Sequence, residues 1–308
     1  MTNRLPSSTD SLEVLRQFSE VRLVAVDIDG TLVSVPTQEV ADVIADLNRS
    51  LRHYSRGVTL IIATGRAFAG ARPVIERLRL SRRTPVILYN GAVVCKADGT
   101  GFSRLHALRS DHLAVVVQLT LDAGLSALVY EPSLSLTLGG AADDGTITIV
   151  ERVRGYARSP GPPIEFNGLP IEWMTTHDDI PERATAVVIP TPGAGADGLL
   201  QLLTGADGIS VTRSSSTYLE VRPSRANKGN ALAVIAAKLA LIPSVVLAIG
   251  DSDNDIEMLR WAGCSVAVAN STPAVRAECD YVTEGVAGQG VVETLRLLYD
   301  ARRHRFRR

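Results

Sequence analysis

The sequence predicts an α/β fold: a doubly wound parallel sheet assembled from both ends of the chain, with an α+β segment inserted between them. Short aliphatic runs bounded by turn residues recur at 23–26, 58–63, 86–88, 245–249 and 265–269. Continuous apolar runs of this length are the pattern of parallel strands buried on both faces. Helical periodicity separates these runs at both ends of the chain, whereas the middle mixes a helix with alternating strands.

Taken in order, Val40, Val43, Ile44, Leu47 and Leu51 fall on one helical stripe after the first strand, and Val74, Ile75 and Leu78 mark a second helix. A third is expected over 230–241, between a loop at 225–229 and Pro243, and a fourth over 253–261. In the middle, a helix at 111–123 precedes alternating strands through Leu134, Leu136, Leu138 and then Ile147, Ile149, with a hairpin loop at 139–145. The Pro- and Gly-rich stretches 158–163 and 190–198 read as connections. No internal repeat is visible. The expected division is a core of residues 1–92 and 222–308 and an inserted domain of 93–221.

Composition excludes several functions. The 308 residues are 45% hydrophobic, enough to bury a sizeable core, and the formal net charge of −1 argues against a globally basic nucleic-acid binder. There is no run of eighteen apolar residues, so no membrane partner is expected. The first twenty residues lack an apolar signal-peptide centre, which makes the cytoplasm the expected location. The arginine-rich end, 301–308, reads as a solvated tail. Cys95, Cys264 and Cys279 form no C-x-x-C pair, and the five histidines show no metal-binding spacing, which leaves buried thiols and no histidine-based metal centre.

Four motifs carry candidate chemistry. Asp27-Ile28-Asp29-Gly30-Thr31 follows the first strand directly, where ligands of open α/β sheets bind. Residues two apart project to one side, so Asp27 and Asp29 converge, and two converging anions suit Mg²⁺. Gly250-Asp251-Ser252-Asp253-Asn254-Asp255 follows another strand and brings further carboxylates in need of a cation. Thr64-Gly65-Arg66 closes a strand and opens a helix, the pattern of a phosphate cradle. Lys228 stands in a loop ahead of a helix in a chain with three lysines against twenty-nine arginines, and a compact ammonium binds phosphate as a point charge.

These residues, with YNGA at 89–92, LEVRP-x₄-KG and the run 266–291, resemble in order the haloacid dehalogenase-like hydrolase superfamily. The resemblance is to its Cof-type sugar phosphatases, which carry a large α/β cap. The resemblance implies a Rossmann-like core with an inserted α+β cap that sets specificity. It also implies Mg²⁺-dependent hydrolysis of a small phosphorylated metabolite, a sugar phosphate above all, through a phosphoaspartate. Asp27 would be the nucleophile and Asp29 the acid and base. Thr64, Gly65, Lys228 and Asn254 would hold phosphate. Asp27, Asp29 through its main-chain carbonyl, Asp251 and Asp255 would serve the metal. Asn90 and Gly91 would lie where core gives way to cap. Two rival expectations keep the same fold: a phosphosugar mutase and a non-catalytic phosphometabolite sensor.

Overall fold

The computed structural model describes residues 3–7, 12–33, 48–137, 146–158, 165–166, 168–174, 179–191, 196–215 and 218–305. The chain divides into two compact units, one of Met1–Gly65, Ala71–Gly91 and Asn227–Arg308, the other of Arg66–Gly70 and Ala92–Ala226. The sequence-based boundaries differ from this division at Ala92, at 222–226 and at the short excursion 66–70.

In the first unit, seven strands run parallel: β1 (Asn3–Arg4), β2 (Leu23–Val26), β3 (Thr59–Ala63), β4 (Pro85–Leu88), β5 (Val246–Gly250), β6 (Cys264–Ala267) and β7 (Tyr281–Val282). They hydrogen-bond in the order β1-β7-β6-β5-β2-β3-β4. The four side chains of β2 and the five residues of β5 are all buried, which is why these segments read as unbroken apolar runs. β2 sits between β5 and β3, with Val26 opposite both Ile249 and Ile62. The chain thus proceeds outward one way through β3 and β4 and the other way through β6 and β7. Strand order reverses between β2 and β5, and the crevice beyond the carboxyl ends at such a point is where open α/β sheets bind ligands.

The described helices of this unit are α1 (Leu12–Glu20), α2 (Phe68–Leu78), α3 (Lys228–Lys238), α4 (Ile256–Trp261), α5 (Pro273–Glu278) and α6 (Ala287–Arg305). Residues 48–54 are also helical. Of the first predicted stripe only Leu51 is among the described residues, and it is buried. The polar N-terminal segment is part of the sheet and its cover: β1 pairs with β7, and α1 packs on α6 with the fully buried Phe18 ring 5.3 Å from Tyr281. The third helix begins at Lys228, not at residue 230, because the Asn227 side chain caps it by accepting the Asn230 N–H at 2.7 Å. The expected fourth helix opens as a 3₁₀ turn, Asp253–Asp255, before α4.

The second unit holds an antiparallel hairpin, Val93–Lys96 with Ser103–Arg104, and a seven-stranded sheet. Its long central pair, Ala127–Thr137 and Thr146–Tyr156, is antiparallel, and helices Ser110–Asp122 and Asp197–Thr204 bury Leu113, Val117, Leu199 and Leu203 in its core. Leu169–Trp173 is the exception to antiparallel pairing, running parallel to Thr146–Tyr156. The loop expected at 139–145, and parts of 158–163, 190–198 and 301–308, lie outside the described residues. The three cysteines are buried and free, and burial pushes the Cys95 and Cys279 thiols up to about 12. Among the described residues no helix is long and apolar enough to cross a membrane.

The start of α3 approaches α4 so closely that a β-carbon on Gly229 would lie 2.4 Å from the Glu257 carbonyl oxygen, which is backbone and cannot swing away. Gly229→Ala is therefore expected to force the two helices apart at a cost of about 1–3 kcal/mol. Urea unfolding checks it; an unchanged midpoint would contradict the packing.

Candidate active site

β2 and β5 end side by side, and each hands a carboxylate to the crevice. Asp27 is the first residue beyond β2, still tied to the sheet by its N–H on the Ile249 carbonyl at 3.2 Å, and only 3% exposed. Ile28 is buried in the core at the bend that follows, and Asp29 beyond it is partly exposed. The chain then reverses: Gly30 donates to the Val33 carbonyl, and Leu32 and Val33 donate back to Ile28. Gly30 takes φ 85°, and a β-carbon there would lie 2.1 Å from Asp251 Oδ2, so the turn and the close carboxylate both require glycine.

From β5 comes the partner loop. Asp251 Oδ1 accepts the Thr31 hydroxyl at 2.7 Å, and the Asp251 carbonyl accepts the Thr272 N–H. Asp255 is fully buried. Its Oδ2 accepts the N–H groups of Asp251 and Ser252 at 3.0 and 3.2 Å, closing the loop on itself. Its Oδ1 accepts from Lys228 Nζ at 2.6 Å, and the same ammonium donates to Asp27 Oδ1 at 2.6 Å. Lys228 has no solvent exposure and stands in the first turn of α3, not in a loop.

Oxygens of Asp27, Asp251 and Asp255 all lie within 4.8 Å of one another. Three carboxylates around one ammonium leave excess negative charge in a buried place. Burial pushes the Asp27 carboxyl well above its usual range against the pull of Lys228, and Asp255 adds to the rise. Burial likewise lifts Asp251 to about 6, opposed by the Thr31 hydrogen bond. Burial alone would lower the Lys228 pKa, but Asp255 and Asp27 outweigh it and hold the ammonium charged. An all-oxygen donor set with unneutralised charge fits a hard divalent cation. The Asp29 carboxylate is outside this trio; its charge still raises both Asp27 and Asp251.

A second group adjoins the first. Asn254 accepts the Ser252 hydroxyl at 3.1 Å and donates to Asn90 Oδ1 at 3.0 Å. Asn90, buried at φ 50°, donates its N–H to the Thr64 carbonyl, while the Thr64 N–H goes to Ile87. Gly65 packs against the Asn90 amide, where a β-carbon would lie 3.1 Å away. Thr64, Gly65, Asn90 and Asn254 therefore join the ends of β3, β4 and β5, beside the carboxylates. Two residues were given no role from sequence. Thr31 anchors Asp251, and Asn270 spans from the Gly30 carbonyl at 2.7 Å to the Ala287 N–H at 2.7 Å, pinning the turn to the start of α6. The signal for Asn270 was its place just after β6, ahead of the Thr272 cap of α5.

The sequence model of a family described as haloacid dehalogenase-like hydrolase matches residues 24–295. The 5-amino-6-(5-phospho-D-ribitylamino)uracil phosphatase of Bacillus subtilis is 27% identical over 289 residues, 92% of this chain and 98% of that protein. A haloacid dehalogenase-like hydrolase from Bacteroides thetaiotaomicron superposes with a TM-score of 0.70 at 22% identity, covering 89% of this chain and 98% of its own. A sugar phosphatase of subclass IIB superposes with a TM-score of 0.65 at 18% identity, covering 89% and 98%.

The raised Asp251 pKa has a consequence for stability. A carboxyl at about 6 when folded and near 3.8 when unfolded favours the fold below pH 4; that contribution is lost as pH rises through 6, about 3 kcal/mol in all. A divalent cation opposes the loss by binding the ionised form, while protons compete with it. Adding millimolar MgCl₂ is expected to raise the melting temperature more at pH 7.5 than at pH 5, and not at all in Asp251→Asn. Differential scanning fluorimetry decides; equal gains at both pH values would contradict the assignment.

Proposed function

The chain belongs to the haloacid dehalogenase-like hydrolase family and is a phosphatase, and from that premise we propose that it hydrolyses small phosphorylated metabolites, sugar phosphates above all, through a phosphoaspartate on Asp27. The observation that carries this reading is the Asp27–Lys228–Asp255 bridge beside Asp251, which holds one carboxylate oriented and leaves net negative charge for a cation.

Asp27 attacks phosphorus with one carboxylate oxygen, and the ester P–O bond breaks. The departing alkoxide takes its proton from Asp29, whose partial exposure lets it reach leaving group and water. Asp29, now ionised, removes a proton from water, and that water displaces phosphate from Asp27, restoring both residues. Lys228 keeps Asp27 in place through one N–H bond and Asp255 through a second, and its positive charge stabilises the phosphoryl group. Thr64, Gly65 and Asn254, at the ends of β3 and β5, bind the remaining phosphoryl oxygens. Asp27, the main-chain carbonyl of Asp29 and Asp251 would hold Mg²⁺, with Asp255 in support, and the ion when bound would supply neutralisation of phosphoryl charge. The second unit, 93–221 in the sequence reading, selects the alcohol. The substrate class draws on the relatives, one named for a phosphoribityl compound and another for sugar phosphates.

Asp27→Asn is expected to lower the turnover of p-nitrophenyl phosphate by at least about 10³ with an unchanged fold. Circular dichroism and released phosphate test the two halves, and full activity in this variant would end the nucleophile assignment. EDTA is expected to abolish hydrolysis and Mg²⁺ to restore it. Phosphorus NMR on a panel of sugar phosphates should show free phosphate accumulating; an isomeric phosphate ester would instead support a mutase.

A further inference from the structure

We infer that the amino-end rim of the first unit's sheet carries a binding site for a small polyphosphate, a linear anion of two or more phosphoryl groups. A cavity of ≈ 820 Å³ opens there, lined by Arg49, Arg52, His53, Arg56, Arg79 and Arg83. Thr59 and Pro85, the first residues of β3 and β4, also line it. Thr64, by contrast, follows the last residue of β3. The cavity and the catalytic carboxylates thus sit at opposite ends of the strands, about 16 Å apart at ~3.3 Å per strand residue.

Arginines at helix carboxyl ends have a plain explanation, since such ends carry partial negative charge. Three helices end at this cavity: residues 48–54, α2 at Leu78 and α3, whose capping Leu239 lines the wall. Their ends contribute roughly −0.5 each, about −1.5 together. Among the described residues, five guanidinium groups exceed that by about 3.5 charges. No carboxylate among the described residues lines the cavity, and none of the five arginines is in an ion pair among them.

The surplus selects the ligand. Guanidinium forks match phosphate oxygens two at a time, and the volume lies within the ~300–1,000 Å³ of small-molecule sites. Orthophosphate carries at most about −2 and leaves the surplus half compensated, whereas a triphosphate chain at about −4 closes it. The inference is independent of the hydrolase reading, because none of these arginines belongs to the catalytic crevice.

Isothermal titration of the full chain with tripolyphosphate in EDTA tests it, the chelator removing metal-assisted binding at the carboxylates. One site is expected, weakened at least about tenfold in Arg52→Ala/Arg83→Ala, since each lost charged hydrogen bond is worth a factor of ten or more. The same variant should hydrolyse p-nitrophenyl phosphate with Mg²⁺ at the wild-type rate. Arg16→Ala/Arg72→Ala, which removes exposed arginines elsewhere, should bind like wild type. Nucleoside triphosphate and tripolyphosphate titrated in parallel separate an organic from an inorganic ligand. Absence of binding, an equal loss in the control pair, or orthophosphate binding as tightly as tripolyphosphate would each overturn the proposal. Displacement of tripolyphosphate by a short single-stranded RNA at lower concentration would overturn it in favour of a nucleic-acid surface.

Discussion

One ammonium group, fully removed from water, holds the first unit's site together. Lys228 meets Asp27 and Asp255 at 2.6 Å each, and with the lysine removed both carboxylates are left as uncompensated buried charge. Breaking such a pair typically costs about 3–5 kcal/mol, more than the bland worth of a surface ion pair by a wide margin. The local structure around Lys228 is consequently over-determined. Asn227 caps α3 just before it, Gly229 allows α3 to meet α4 just after it, and Asp255 is itself fastened by two backbone N–H groups.

The sheet's reversal of strand order is what makes that bridge possible. Asp27 and Asp251 come from the two halves of the chain, yet β2 and β5 are neighbours with Val26 opposite Ile249, so both acids emerge at one rim. The Thr31 hydroxyl on Asp251 and the Asn270 amide on Gly30 then lock the two turns to each other and to α6. The rim is negative by construction. The Asp255 and Asp29 carboxylates raise the proton affinity of Asp27 and Asp251, and the same repulsion makes a divalent cation the natural complement.

The opposite rim has the other sign. There three helices of the first unit end, and the cavity wall carries arginines where the catalytic rim uses its buried lysine. The two cations suit different tasks: the compact ammonium fits between two carboxylates without solvent, while the guanidinium fork works at an accessible wall. The chain's choice of twenty-nine arginines against three lysines makes the position of Lys228 the more telling.

The parallel strands were legible in the sequence because burial on both faces leaves an unbroken aliphatic run, and Asp27 and Asp251 were legible because each directly follows such a run. The α+β character of the middle was readable from alternation, since a sheet covered on one face repeats every two residues. Lys228 was readable as a rarity but not as a buried bridge, because its two partners are remote in sequence and burial is a property of packing. The start of α3 was misplaced by two residues, since a cap is decided by one hydrogen bond from Asn227. The roles of Thr31 and Asn270, and the gathering of five arginines from two segments into one cavity, were settled only by tertiary structure. Periodicity and local motifs are written along the chain, whereas which distant side chains meet depends on strand order, and the pairing of β2 with β5 is a long-range choice.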